Sequence, residues 1–173
     1  MKTESFWQKV SDSDLMQGDH ILDCPVPVFA EIPTEKVKIN PKVKIYSLII
    51  ITQSCDLANR KAPFVALCPI YTVAEFEEGN PKAAQKGFWE QVRKAKVEGL
   101  HLLSSFENPE NNRQCLVVDF REIYSLPFEF LTKHAASLEN RWRLKSPYLE
   151  HFSQAFARFF MRVGLPANIP PFK

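Results

Sequence analysis

The run Ser47-Leu48-Ile49-Ile50-Ile51-Thr52 constrains this chain more than any other stretch. Ile49 to Thr52 are β-branched without interruption. Such side chains lose rotamer freedom in a helix and pack well on a pleated surface. "KVKIY", Lys42 to Tyr46, alternates charged and apolar residues just before it. One strand is therefore expected to start half-exposed and to end covered on both faces. The run then stops abruptly in four polar residues, Gln53, Ser54, Cys55 and Asp56.

Around this strand the chain reads as one domain over residues 1–173, long enough to bury a core without disulfides or metal. The first 17 residues suit a short amphipathic lead-in, with Ser11 or Ser13 as a helix cap. Gly18-Asp19 is a turn signal before a strand over Ile21 to Phe29, where Pro25 and Pro27 demand an edge or a break. "EKVKIN" alternates as a half-exposed strand, Asn40-Pro41 turns, and "APFVALCPIYTV" reads as a second buried strand. Residues 80–99 predict an inserted basic helix, with Asn80 as cap, Pro81 at its first position, Gly99 as stop and an Ala84, Phe88, Val92, Ala95 stripe. "LHLLSSF" and "QCLVVDFREIYSLP" read as a hairpin around the turn-rich "ENPENNR". A final amphipathic helix runs from Ser146-Pro147 to Gly164, studded with Phe152, Phe156, Phe159 and Phe160. The expected class is α+β: a small antiparallel sheet, curved into a barrel, with the inserted helix and the C-terminal helix packed on it.

Net charge is +2, so a case for nucleic acid depends on where the charge lies. Cys24, Cys55, Cys68 and Cys115 form no C-x-x-C pair, the opening residues lack an apolar run, and no stretch reaches the about 18 apolar residues that span a bilayer. A cytoplasmic protein with reduced thiols and no membrane partner is expected.

The order of these pieces resembles the PemK/MazF-like family. Gly18-Asp19 with Ile21 is similar to that family's Gly-Asp-apolar opening, "YSLIIITQS" to its second major strand, "CPIYT" to its Pro-apolar-x-Thr strand end, and "LVVDFREIYSL" to its late strand. "RLKSPYLEHFSQAFARFF" resembles its leucine-then-helix ending. Uncharacterised bacterial proteins with a Gly-Asp-Ile opening and a Ser-Gln-Ser/Thr-Cys-Asp strand end look closer still. The resemblance implies an SH3-like barrel, and a nucleic-acid-binding or RNA-cleaving protein of a toxin–antitoxin or phage-defence system. It carries over Thr72 as a residue that positions a scissile phosphate. The family's ribonucleases have an Arg-Pro pair before the second strand; here that place reads Ile45-Tyr46-Ser47. Without arginine there is no fixed fork of donors for transition-state charge.

Four groups of residues stand as candidates. Cys55 would be a nucleophile if His101 approached it and Asp56 oriented that base; otherwise Cys55 packs inward and Asp56 caps the next turn. Gln53 and Ser54 with their neighbours would form a polar floor for a ligand or a protein partner. Lys36, Lys38, Lys42 and Lys44 share a strand face and, with Tyr46 and the 80–99 helix, would track a phosphate backbone of RNA or DNA; the same lysines also keep an exposed strand soluble. Arg141, Arg143, Lys145, Arg158 and Arg162 make a cationic end, with Trp142 placed for stacking. His20, Cys24, Cys55, His101 and Asp119 have no established zinc spacing, so neither a metal nor a cofactor is expected. The last helix's aromatic stripe reads as core, or as a homodimer surface where it stays exposed.

Overall fold

The computed structural model describes residues 5–29, 41–109 and 111–161. "EKVKIN" with Lys36 and Lys38, Arg162, the stop at Gly164 and the tail lie outside the described residues. Among these residues eight strands make one antiparallel sheet: β1 (Trp7–Val10), β2 (Asp19–Val28), β3 (Lys42–Ile50), β4 (Phe64–Thr72), β5 (Leu100–Leu103), β6 (Leu116–Asp119), β7 (Tyr124–Pro127) and β8 (Arg141–Leu144). Their order is β1-β8-β2-β3-β4-β6-β5, with β7 beside the first half of β4. Among the described residues five α-helices accompany them: α1 (Ser54–Ala58), α2 (Val73–Gly79), α3 (Phe88–Arg93), α4 (Phe128–Ser137) and α5 (Tyr148–Phe160). The architecture is thus the expected antiparallel α+β. Among the described residues no ladder joins β1 to β5, so the sheet stays open.

The β-branched run explains the layering. Leu48 and Ile50 enter a core with Ile21, Cys24, Val26, Val65, Leu67 and Leu126, closed by Leu131 and Ala135 of α4. Ile49 and Ile51 enter the opposite core with Cys68, Ile70, Val118, Phe120, Leu144 and Trp7, closed by Phe152 of α5. A strand whose neighbours alternate between two cores has no polar face, as the sequence required. A third cluster joins Phe76, Ala83 and Val92 of the inserted segment to Leu100 and Val117.

Gly18 sits at φ 84°, where only glycine is at ease. A Cβ there would meet Leu149 Cδ1 at 2.9 Å and Leu144 Cβ at 3.0 Å. Its N–H donates to Ile50 and its carbonyl accepts from Leu144, stitching β3 to β8. Just beyond, β2 slips register between Ile21 and Cys24, with Asp23 at φ 48°. The bulge absorbs one residue, so Ile21, Cys24 and Val26 all face the same core. After residues 19–20, β2 pairs only with β3, which leaves Pro25 and Pro27 on an edge.

Four sequence expectations need correction. The lead-in is strand β1 rather than a helix, because Trp7 is buried and pairs with Leu144. The 80–99 helix is broken into a 3₁₀ turn (Pro81–Ala84) and α3; Gly87 at φ 87° interrupts it, and Ala83 and Val92 are buried while Ala84 and Ala95 are exposed. The hairpin of β5 and β6 is as expected, but β7 leaves it to pair with β4. α4 and β8 were missed: "FEFLTKHAAS" is ten residues, and "RWRL" reads as exposed charge.

Candidate functional site

The cationic end is the largest departure from the sequence reading. Arg143 faces Asp19 across the β2–β8 ladder, and Arg141 lies two residues along on the same face. Arg143 donates from Nε and Nη2 to the fully buried Asp19 carboxylate, and Arg141 Nη2 donates to Asp19 Oδ2 at 3.4 Å. Asp12 takes two more bonds from Arg143, both at 3.1 Å. Burial works against the Asp12 carboxylate, but the two guanidiniums hold its carboxyl below the ordinary value. Two buried cations meet the buried Asp19, with the exposed Asp12 closing the cluster from outside, so these arginines are skeleton and not surface. Trp142 points to the other side and stacks on Phe106 at 5.3 Å.

At the end of β3 the polar cluster forms the start of α1. Cys55 is exposed, not inward-facing, because Leu57 is the residue that turns into the core. Its thiol donates to Gln53 Oε1 at 3.7 Å and Asp56 Oδ1 at 3.9 Å. Gln53 is the N-cap residue without a side-chain cap, and Ser54 Oγ accepts from Gln17 N–H at 3.0 Å. His101 does not join them. It packs against Phe120 and Phe152, both at 6.0 Å, and burial followed by the neighbouring His151 lowers its pKa to about 4. The Cys55–His101–Asp56 triplet is therefore not assembled. Cys24 and Cys68 are buried, which pushes their thiols up to about 11 and about 12.

Thr72 ends β4 and caps α2. Its hydroxyl donates to Glu75 Oε2 at 2.8 Å and accepts from Glu75 N–H at 3.2 Å, a complete capping box. Both functions of the hydroxyl are committed to the helix start.

Lys42 and Lys44 are exposed on β3, and strand alternation places them in one file with Tyr46. Tyr46 stands beside Tyr124 of β7, ring centres 5.1 Å apart. Tyr71 of β4 belongs to the same group. Burial comes first, then the nearby Glu122 and Tyr46, in raising its pKa well above the ordinary phenol value. Tyr124 is raised likewise by burial and by Tyr46 and Glu122, and it donates to Glu122 Oε2 at 3.0 Å. Three half-buried phenols thus continue a line begun by two lysines. α4 closes the core on one side of them, and the inserted α2–α3 segment closes the cluster on the other. Tyr46 was named from sequence; Tyr71 and Tyr124 were not. Only the β4–β7 ladder, with Leu67 opposite Tyr124, brings "REIYSLP" to β3.

Of the residues weighed for metal, His20 packs against Phe106, Cys24 is in the first core, and Asp119 is held by Arg121. Among the described residues no group of three or more His, Cys, Asp or Glu could hold a metal ion, and no helix is long and apolar enough to cross a membrane. No protein-family model matches the chain, and no curated protein matches its sequence.

Proposed function

We propose that this chain binds single-stranded nucleic acid without cleaving it, along the face that carries Lys42, Lys44, Tyr46 and Tyr124. The carrying observation is that file of two exposed lysines running into paired tyrosine rings. Lysines track phosphates, and rings stack on bases of any sequence. Cleavage is disfavoured on two counts: the Thr72 hydroxyl is tied into a capping box, and Ile45-Tyr46-Ser47 supplies no arginine for developing charge. The kinship with PemK/MazF-like proteins and a place in a toxin–antitoxin or phage-defence system belong to the same proposal.

The test is fluorescence anisotropy with labelled single-stranded RNA and DNA over a range of salt. Binding is expected to weaken as salt rises, with a log–log slope that falls by about 1.4 in the Lys42→Ala/Lys44→Ala double variant. Tyr46→Ala is expected to weaken binding by about 1–3 kcal/mol. Salt-independent binding, or release of short fragments from the RNA, would reject the reading.

A protein partner is a second reading, and a different observation favours it. The reverse side of the same arm presents Val43, Ile45 and Pro27 to solvent, with Val43 63% and Ile45 59% exposed.

A further inference from the structure

A second concavity lies at the far edge of the sheet, where β5 pairs only with β6. α3 approaches that edge from one side and α5 from the other, leaving a cleft of about 600 Å³. This falls within the roughly 300–1,000 Å³ typical of small-molecule sites. We propose that the cleft binds a small organic phosphate of nucleotide size.

α5 presents His151, Gln154 and Arg158 to the cleft at spacings of three and four, so they form one row on the helix. Among the described residues none of the three side chains has a hydrogen-bond or ion-pair partner. The Arg158 fork matches two phosphate oxygens at once, and His151 and Gln154 add donors beside it. Arg93, at the end of α3, also lines the cleft, but Glu90 already holds its guanidinium with two bonds of 2.7 Å. Arg158 is therefore the cation left to a ligand. Two arginines and one carboxylate, Glu98, are among the lining residues.

The inner wall suits the rest of such a molecule. Phe120, Phe159 and Leu100 supply ring and apolar surface. Gly99 sits at φ 81°, and a Cβ there would meet Phe159 Cε2 at 3.1 Å, which keeps the wall close to the β5 backbone. His101 also lines the cleft. Its ring is packed between Phe120 and Phe152, and neither nitrogen has a hydrogen-bond partner among the described residues. Lining the cleft, its ring nitrogens offer a ligand group a donor or an acceptor.

Calorimetry with AMP, ribose 5-phosphate, inorganic phosphate and adenosine tests the assignment. AMP is expected to bind at least tenfold more tightly than adenosine or inorganic phosphate, with ribose 5-phosphate between. Arg158→Ala and His151→Ala change exposed residues, so folding is retained, and each is expected to weaken AMP at least tenfold. His101→Phe is expected to weaken it as well, with an unchanged circular-dichroism spectrum. The Lys42→Ala/Lys44→Ala variant is expected to bind AMP normally while losing RNA, which separates this site from the nucleic-acid face. Equal affinity for AMP and adenosine, no heat with any phosphate at millimolar concentration, or an Arg158→Ala variant that binds AMP unchanged would overturn it.

Discussion

β3 and β8 carry the same short pattern, a cation at every second position, and use it in opposite ways. Lys42 and Lys44 stand in water, whereas Arg141 and Arg143 are buried against Asp19, with the exposed Asp12 at their outer side. Alternation says which side chains share a face. What stands beside that face decides whether charge is surface or frame. The residue types fit the two fates: a guanidinium can share its donors among two carboxylates and the Asp12 and Asp14 carbonyls, whereas an ammonium keeps its hydration and suits an open strand.

The sharpest way to break this contrast is to remove the anion. Asp19→Ala leaves two guanidiniums short of a partner in the core and should cost about 3–5 kcal/mol in urea unfolding. A cost below about 1 kcal/mol would mean that the arginines are no more structural than the lysines.

A somewhat smaller effect is expected from pH at the same ladder. His20 pairs with Trp142 beside the arginines and is buried, which lowers its pKa to about 4 from 6.5. Between those values the unfolded chain binds the proton and the folded one does not, so stability falls as pH drops through this window. The loss from His20 is on the order of 3 kcal/mol, and His101 adds in the same direction. His20→Gln should flatten the stability-versus-pH curve between about 4 and 6.5; an unchanged slope would place the proton elsewhere.

The smallest effect belongs to β3. Lys42→Ala/Lys44→Ala should leave unfolding free energy within about 0.5 kcal/mol of the parent. A larger loss would show that these lysines, too, are part of the frame.

β2 to β6 and the two-sided burial of β3 were readable because hydrophobic periodicity reports local surroundings. Ile49 and Ile50 announce two covers without saying what they are. The C-terminal helix was equally plain from its phenylalanines: Phe152, Phe156 and Phe159 gather around Phe120 at 5.6, 5.4 and 6.4 Å, and Phe160 at the end remains 50% exposed. Pairings distant in sequence were not readable. Asp19 and Arg143 are 124 residues apart, and nothing local to "RWRL" distinguishes a buried ion cluster from a basic patch. The same holds for the site. Lys42, Lys44 and Tyr46 follow from alternation, whereas Tyr124 joins them only through a ladder to a third strand. The 80–99 segment misled because its helical spacing is real, but one left-handed glycine outweighs it.

Residues 22 and 23 have a further consequence. Ile21 and Cys24 reach the same core although three positions separate them, because the bulge takes up one residue. Losing either Leu22 or Asp23 would leave Ile21, Cys24 and Val26 pointing inward, at the expense of the contact from His134 Nε2 to the Leu22 carbonyl. Losing any residue between Cys24 and Val28 would instead turn the remainder of the strand inside out. Within β2, the strand can therefore be shortened by one unit at this joint and keep its faces.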